Sequence, residues 1–339
     1  MNAKFQNVMR GIAQNIPPIW FMRQAGRYHK HYQNLRKQHG FMELCKQPKL
    51  AAEVALGPVA DFDFDVSILF SDLLFPLEAM GMGLTYDPSP KLGWHLSEST
   101  LSKLRPLNES IDGVAFQKEA MQETRKVLPA DKSLIGFVGG PWTLFTYAVE
   151  GEHKGSLIAA KTQSALWHGF CERLLPLLEA NIQLQLEGGA EVVMVFDTAA
   201  GELSPAHFIN SVQPYLLRLA QRFPGKLGYY SKGTTHAHLQ EIRRHTQFAG
   251  FGVDHRFAMA DELKSTAHGF LQGNFDQALL FCAPKEFQMR LDEYLKPLRV
   301  LTPEQRRHWV CGLGHGVLPA TPEDNVRHFV RFVREVFAK

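Results

Sequence analysis

Short apolar runs rich in β-branched and aromatic residues recur along the chain. They are "DVSILFSD" (65–72), "SLIGFVGG" (133–140), "EVVMVFDT" (191–198), "KLGYYS" (226–231), "GFGVDH" (250–255), "GFLQGN" (269–274) and "HWVCGLG" (308–314), with "PPIWFM" (17–22) a candidate eighth. Helical patterns separate them in the second half. A near-continuous apolar strand is buried on both faces, as in a parallel sheet covered by helices. Start signals mark several helices. "TPEDNVRHFVRFVREVF" opens at Thr321 with a capping box and a proline, and its Val326, Phe329, Val330 and Val333 repeat at helical spacing. "TPEQ" (302–305) and "SPAHF" (204–208) read the same way. Strand–helix repetition over this length favours a single (β/α)8 TIM-type barrel over a doubly wound sheet. No Pro/Gly/Ser-rich linker divides residues 1–339, which are read as one domain. The stretch 84–130 carries fewer signals: an extended loop that includes "DPSPKLG" (87–93), then a polar helix near 112–127.

Composition narrows the function classes. At 45% hydrophobic and 21% charged residues over 339 positions, the chain is globular and long enough for a large core. A formal net charge of +3 gives no general case for nucleic acid, so any basic patch must be local. Cys45, Cys171, Cys282 and Cys311 are scattered with no C-x-x-C pair, which favours reduced thiols over a zinc or redox motif. No signal-peptide pattern and no membrane-length apolar run is present, so a cytoplasmic location with no membrane partner is expected.

In a parallel barrel the chemistry gathers where strands end. The 65–72 run ends at Ser71-Asp72, the 191–198 run at Asp197-Thr198, and the 308–314 run at His315 between glycines. The 133–140 run passes through Gly-Gly-Pro to Tyr147. Each has an ordinary reading, such as a helix N-cap for Asp72, a bonded core hydroxyl for Tyr147 or a solvated face for a charge run. Their convergence on one mouth tips the balance. "FMRQAGRYHKHYQNLRKQH" (21–39) adds five Arg or Lys residues and no acid. Its Arg23 and Arg27 bracket small residues, and arginine forks suit carboxylates or phosphates. Gly26 would let backbone N–H groups approach an anion. The pattern points to a ligand with several anionic groups that also offers donors to Asp72.

The stretches "PPIWFMRQAGRY", "ILFSDLLFPLEAMGMGL", "GFVGGPWTLFTYAVEG", "VFDTAAGELSP", "LQGNFD" and "GLGHGVLPATPE" together resemble the uroporphyrinogen decarboxylase family of haem and porphyrin biosynthesis, in family order and across nearly the whole chain. The resemblance implies one (β/α)8 barrel, a homodimer, and no cofactor or metal. It implies decarboxylation of the four acetates of uroporphyrinogen III to methyl groups, giving coproporphyrinogen III and carbon dioxide. Carried onto this chain, the family's substrate loop falls on Arg23, Gln24, Ala25, Gly26 and Arg27. Its carboxylate, which accepts pyrrole N–H groups and stabilises the transition state, falls on Asp72. Its further binding positions fall on Tyr147, Thr198 and His315, and His315 could carry positive charge toward a propionate. The chain departs from the family pattern at the 87–93 loop, at Gly312 where Asn is usual, at His255 where Trp is usual, and after "GRY", where Pro is missing.

Two other readings compete. A zinc-dependent corrinoid or cobalamin methyltransferase on the same barrel would need thiolate and imidazole ligands in convergence. Cys311 and His315 are neighbours, but no His-x-Cys pair exists. A non-catalytic tetrapyrrole-binding protein is disfavoured by the retained Asp72, Arg23 and Arg27, and the altered loop is its only support.

Overall fold

The computed structural model describes residues 1–86, 89–153 and 155–338. The apolar runs become the strands β1 (Val66–Ile68), β4 (Ser133–Gly139), β5 (Val193–Asp197), β6 (Leu227–Ser231), β7 (Phe248–Gly252), β8 (Phe270–Phe275) and β9 (Trp309–Leu313). They form a 7-stranded parallel sheet in the order β1-β4-β5-β6-β7-β8-β9. Every residue in these strands is buried, as their unbroken apolar character requires.

The expected eighth stave is reduced to one position. Ile19 bridges Cys311 of β9 in parallel, flanked by Trp20 N–H to Cys311 O at 3.0 Å and Cys311 N–H to Pro18 O at 2.9 Å. On its other side Ile19 O accepts from Asp65 N–H at 3.0 Å, next to β1, so the curled sheet closes. Pro17 and Pro18 lack N–H donors, which keeps this stave from extending toward the chain's start.

Helices cover the outside, among them Pro48–Phe62, Phe116–Val127, Ser164–Glu187, Gln213–Arg222, Pro284–Arg299 and Glu323–Phe337. The last buries Val326, Phe329, Val330 and Val333 on one face, and the Phe329 ring meets Phe21 at 5.0 Å and Phe275 at 5.4 Å. Its N-cap is Pro322 with no side-chain cap; the Thr321 hydroxyl donates to Leu318 O at 2.8 Å instead. "TPEQ" keeps the reciprocal bonds of a capping box, Thr302 N–H to Gln305 Oε1 at 2.9 Å and Gln305 N–H to Thr302 Oγ1 at 3.3 Å, yet closes only a turn. Ser204 does cap a helix, Pro205–His207, by accepting from His207 N–H at 3.2 Å.

The stretch expected as an extended loop is partly ordered into an antiparallel hairpin, β2 (Leu84–Tyr86) with β3 (Pro90–Leu92), pairing Leu84 with Leu92 and Tyr86 with Pro90. Asp87 and Pro88 of "DPSPKLG" lie outside the described residues. The polar helix near 112–127 is present as Phe116–Val127, preceded by a tighter turn over Ile111–Val114. Among the described residues no helix is long and apolar enough to cross a membrane.

Candidate active site

The C-terminal ends of the parallel strands form one mouth, and the predicted polar groups reach it by different routes. Asp72 is not at the end of β1, which stops at Ile68, but on the loop beyond it. The carboxylate is half-buried and accepts from Leu74 N–H at 2.9 Å. Desolvation pushes its pKa up, opposed by the Tyr86 hydroxyl, by that backbone bond and by the charge of Arg23. Tyr86 stands on β2 with its ring 4.6 Å from that of Phe41. Its hydroxyl is buried and forms no well-aligned hydrogen bond in the structure, although it lies near enough to Asp72 for each to perturb the other.

Arg23 is exposed, with a left-handed backbone at φ 60, and its side chain lies over Gly316, where an added Cβ would sit 2.4 Å from Arg23 Cδ. The left-handed residue of this loop is therefore Arg23 and not Gly26. The Arg23 charge acts on Asp72, Tyr147, Tyr230 and His315, so it stands in their midst. Arg27 is also exposed but lies toward Tyr32 and Arg36 at the rim. Among the described residues neither guanidinium has a carboxylate within ion-pair distance or a hydrogen-bond partner. Gln24 is turned away from the mouth. It is buried, donates through Nε2 to Val66 O at 3.0 Å, and its backbone oxygen accepts from the Tyr28 hydroxyl at 2.8 Å. Ala25 packs against the core, and Gly26 accepts from His29 N–H at 3.0 Å to close the loop.

Tyr147 is carried by the helix Pro141–Glu150 and not by a strand end. Burial and the nearby Asp72 push its pKa up to about 12. Its hydroxyl is 2.6 Å from His153 Nδ1. The helix is aimed by Asp197 at the end of β5, whose Oδ1 accepts from Thr143 N–H and Oγ1, both at 2.7 Å. A carboxylate at a helix N-terminus is favourable. Complete burial nonetheless pushes the Asp197 pKa up to about 6. Asp197 is thus a strut, and Thr198 beside it, just past the end of β5, is half-buried.

His315 follows β9. Its Nδ1 is 2.9 Å from the Tyr230 hydroxyl, which itself donates to Gly314 O at 2.7 Å. With the phenol's single proton committed, His315 Nδ1–H is the donor of the pair and Nε2 is left as an acceptor. Burial first, then Arg23, Lys232 and His153, lowers the His315 pKa to about 3. The expectation of a positively charged His315 is therefore corrected: in the free protein it is a neutral ring.

Sequence reasoning missed Tyr86, His153, Tyr230 and Lys232. Tyr230 and Lys232 flank the end of β6 and were open to the strand-end rule. Tyr86 and His153 lie on a hairpin and a loop with no periodic signal. The departure at Gly312 has a physical account, because a Cβ there would meet Trp20 O at 2.3 Å and Gln272 Nε2 at 2.7 Å. His255 has its ring 4.0 Å from Asp276. Cys311 is fully buried within β9, its thiol pKa raised by burial, and does not converge with His315 on an ion site. The acidic–histidine group that does converge among the described residues, His29, Asp61 and Glu323, lies elsewhere and is bridged by Arg327. A separate groove of about 730 Å³ beside the helices Met259–Ser265 and Pro284–Arg299 contains none of the mouth's charged groups named above.

A closed parallel barrel that holds, among its described residues, one unpaired guanidinium beside a half-buried carboxylate and a second at the rim, with hydroxyl and imidazole groups around them, is built as an enzyme for a small anionic molecule. The chain belongs to the uroporphyrinogen decarboxylase family, whose model matches residues 1–336. It is 35% identical over 349 residues to the uroporphyrinogen decarboxylase of Chloroflexus aurantiacus, covering 98% of this chain and 96% of the relative. The enzyme of that name from Solibacter usitatus is 32% identical over 350 residues, covering 99% and 98%. That from Thermus thermophilus is 34% identical over 337 residues, covering 97% and 96%. Among solved structures, a methyltransferase from Methanosarcina mazei superposes with a TM-score of 0.73 at 18% identity, covering 100% of both chains. At that identity the likeness concerns the fold alone.

Proposed function

We propose that this chain removes the four acetate carboxyls of uroporphyrinogen III, giving coproporphyrinogen III and carbon dioxide, at the mouth built by Arg23, Asp72, Tyr147, Thr198 and His315. Loss of carbon dioxide from a pyrrole acetate leaves an electron pair that needs a sink. Protonating the ring carbon beside the acetate provides one, because the resulting cation accepts the pair. The enzyme's task is to stabilise that cation.

Asp72 carries the reading. It is the carboxylate on which Arg23 acts and which acts on Tyr147; one oxygen is aligned by Leu74 N–H at 2.9 Å, the Tyr86 hydroxyl lies nearby, and a carboxylate's several lone pairs leave room to accept pyrrole N–H groups. Its charge then lies against the developing cation in a partly dry site, where attraction is stronger than in water. Arg23 and Arg27 hold side-chain carboxylates, Arg23 beside the reacting ring and Arg27 at the rim. Neutral His315 offers Nε2 to a donor on the substrate. No metal or nucleotide enters the scheme, a homodimer is expected from the family, and the site of action is the cytoplasm.

The test is anaerobic incubation with uroporphyrinogen III and separation of products by carboxyl number. Stepwise loss of carboxyls to the tetracarboxylate is expected, undiminished by chelators and dialysis. Asp72→Asn keeps the shape and loses the charge. Turnover should drop at least about a hundredfold, in line with removal of a transition-state electrostatic partner. Normal turnover by that variant would falsify the assignment.

A further inference from the structure

We propose that His153 is the proton-relay residue that reloads Tyr147 during successive decarboxylations. This rests on the site reading above. Each cycle breaks one C–C bond and releases carbon dioxide, and the bond's electron pair goes into the protonated ring. The exocyclic carbon then takes a proton, and the ring gives back the one it had gained. The balance is one proton consumed per acetate, so a substrate losing four acetates draws four protons through an occupied site.

Few groups at the mouth can supply them. Arginine holds its proton at any ordinary pH. His315 is neutral, and its one N–H is committed to Tyr230 at 2.9 Å. Asp72 is engaged with the pyrrole nitrogens. Two O–H groups lie near the carboxylate: the Tyr86 hydroxyl is buried with no hydrogen-bond partner among the described residues to reload it, whereas Tyr147 has His153 against its oxygen. Tyr147 does not hold a negative charge easily, since burial and Asp72 push its pKa up to about 12. It can give up a proton only if another arrives with it.

His153 is placed for that. The helix carrying Tyr147 ends at Glu150, and Gly151, at φ 79, turns the chain back so that the His153 ring returns to Tyr147. Nδ1 is 2.6 Å from the hydroxyl and the ring centroids are 5.2 Å apart. The residue is half-buried, so one side reaches solvent. Among the described residues, the charged and titratable groups around this pair include Asp72, Arg23 and Glu152, which act on Tyr147, His315, on which His153 acts, and His95, against Gly151. In the step, the Tyr147 O–H bond breaks as the substrate C–H bond forms. His153 in its imidazolium form gives Nδ1–H to the phenol oxygen and is left neutral. A solvent acid, hydronium or a protonated buffer, restores the imidazolium.

The test uses the full-length protein and three variants. His153→Gln keeps a hydrogen-bonding group beside Tyr147 but cannot carry a proton inward. Its kcat should fall roughly tenfold or more, the low end of general-acid effects, with KM within about twofold. His153→Ala should fall similarly and regain turnover with added imidazole in a concentration-dependent way. Tyr147→Phe should be slow and unresponsive to imidazole. Full-rate turnover by both His153 variants alongside a slow Tyr147→Phe overturns the relay and leaves the site reading standing. A slow His153→Ala that imidazole cannot rescue shows a merely structural role and also overturns it. Full-rate Tyr147→Phe removes Tyr147 from the site and the relay with it.

Discussion

At the scale of single residues, the mouth is governed by what surrounds Asp72. Burial raises its pKa, and three partners pull it back: the Tyr86 hydroxyl, Leu74 N–H and Arg23. Because Asp72 must be ionised to accept pyrrole N–H groups, the acid limb of kcat/KM should lie above the ordinary aspartate range of about 3.9. Tyr86→Phe keeps the ring against Phe41 and removes one of the groups favouring the ionised form. The acid limb should then move to higher pH, while the rate on the plateau changes little; an acid limb that stays put would show that Tyr86 does not act on Asp72. His315 works the other way. Its lowered pKa means that the unfolded chain takes up the proton first, so this residue destabilises the fold as pH falls below about 6.5. Asp72, Arg23 and His315 were legible in the sequence because they sit at or just beyond strand ends with unusual neighbours. The role of Gln24 was not. Nothing in "RQAGR" tells that its second residue turns inward to Val66 O while the first takes the left-handed conformation.

At the scale of elements, the parallel strands were read well because burial on both faces leaves an unbroken apolar run. Elements held by something other than their own pattern were read less well. "TPEQ" has a helix-start signature, but only Arg306, Arg307 and His308 follow it before the chain enters β9 at Trp309, too few for a helix to form. "PPIWFM" contributes one bridging residue because two prolines cannot donate. The β2–β3 hairpin was read as loop, since three-residue strands of mixed polarity carry almost no period. The hairpin places Tyr86 at Asp72, so it is part of the site wall and not only a surface variation. Replacing residues 89–93 with a Gly-Ser linker, with Tyr86 kept, should loosen that wall. The expected result is release of partly decarboxylated intermediates with the first decarboxylation largely retained, measured by product separation during turnover. An unchanged product profile would deny the hairpin a retaining role.

At the scale of the whole molecule, the two ends of the barrel divide their tasks, as parallel barrels do. At the mouth, Arg23 and Arg27 have no ion-pair partner among the described residues. The opposite end ties several separate segments of the chain to one carboxylate. Asp65, just before β1, is buried. It accepts from Ile19 N–H at 2.8 Å and from Asn2 Nδ2 at 3.3 Å, and pairs with Lys4 at 2.6 Å and Arg334 at 3.5 Å. The N-terminal helix Ala3–Arg10, the closing stave at Ile19, the first strand and the last helix therefore meet on a single side chain. A capping or catalytic reading of Asp65 was not available from sequence, because its partners are spread from Asn2 to Arg334. Asp65→Ala would strand the buried Ile19 N–H and leave Lys4 without its ion-pair partner, while Arg334 keeps Asp63, at a cost of about 3 kcal/mol. The melting temperature should drop clearly, while the folded fraction keeps the wild-type kcat at low temperature, because no group of the mouth is touched. The two quantities are read by thermal unfolding and by initial rates normalised to folded protein. If kcat fell in proportion to the loss of stability, closure of the barrel at its base would have to shape the mouth as well.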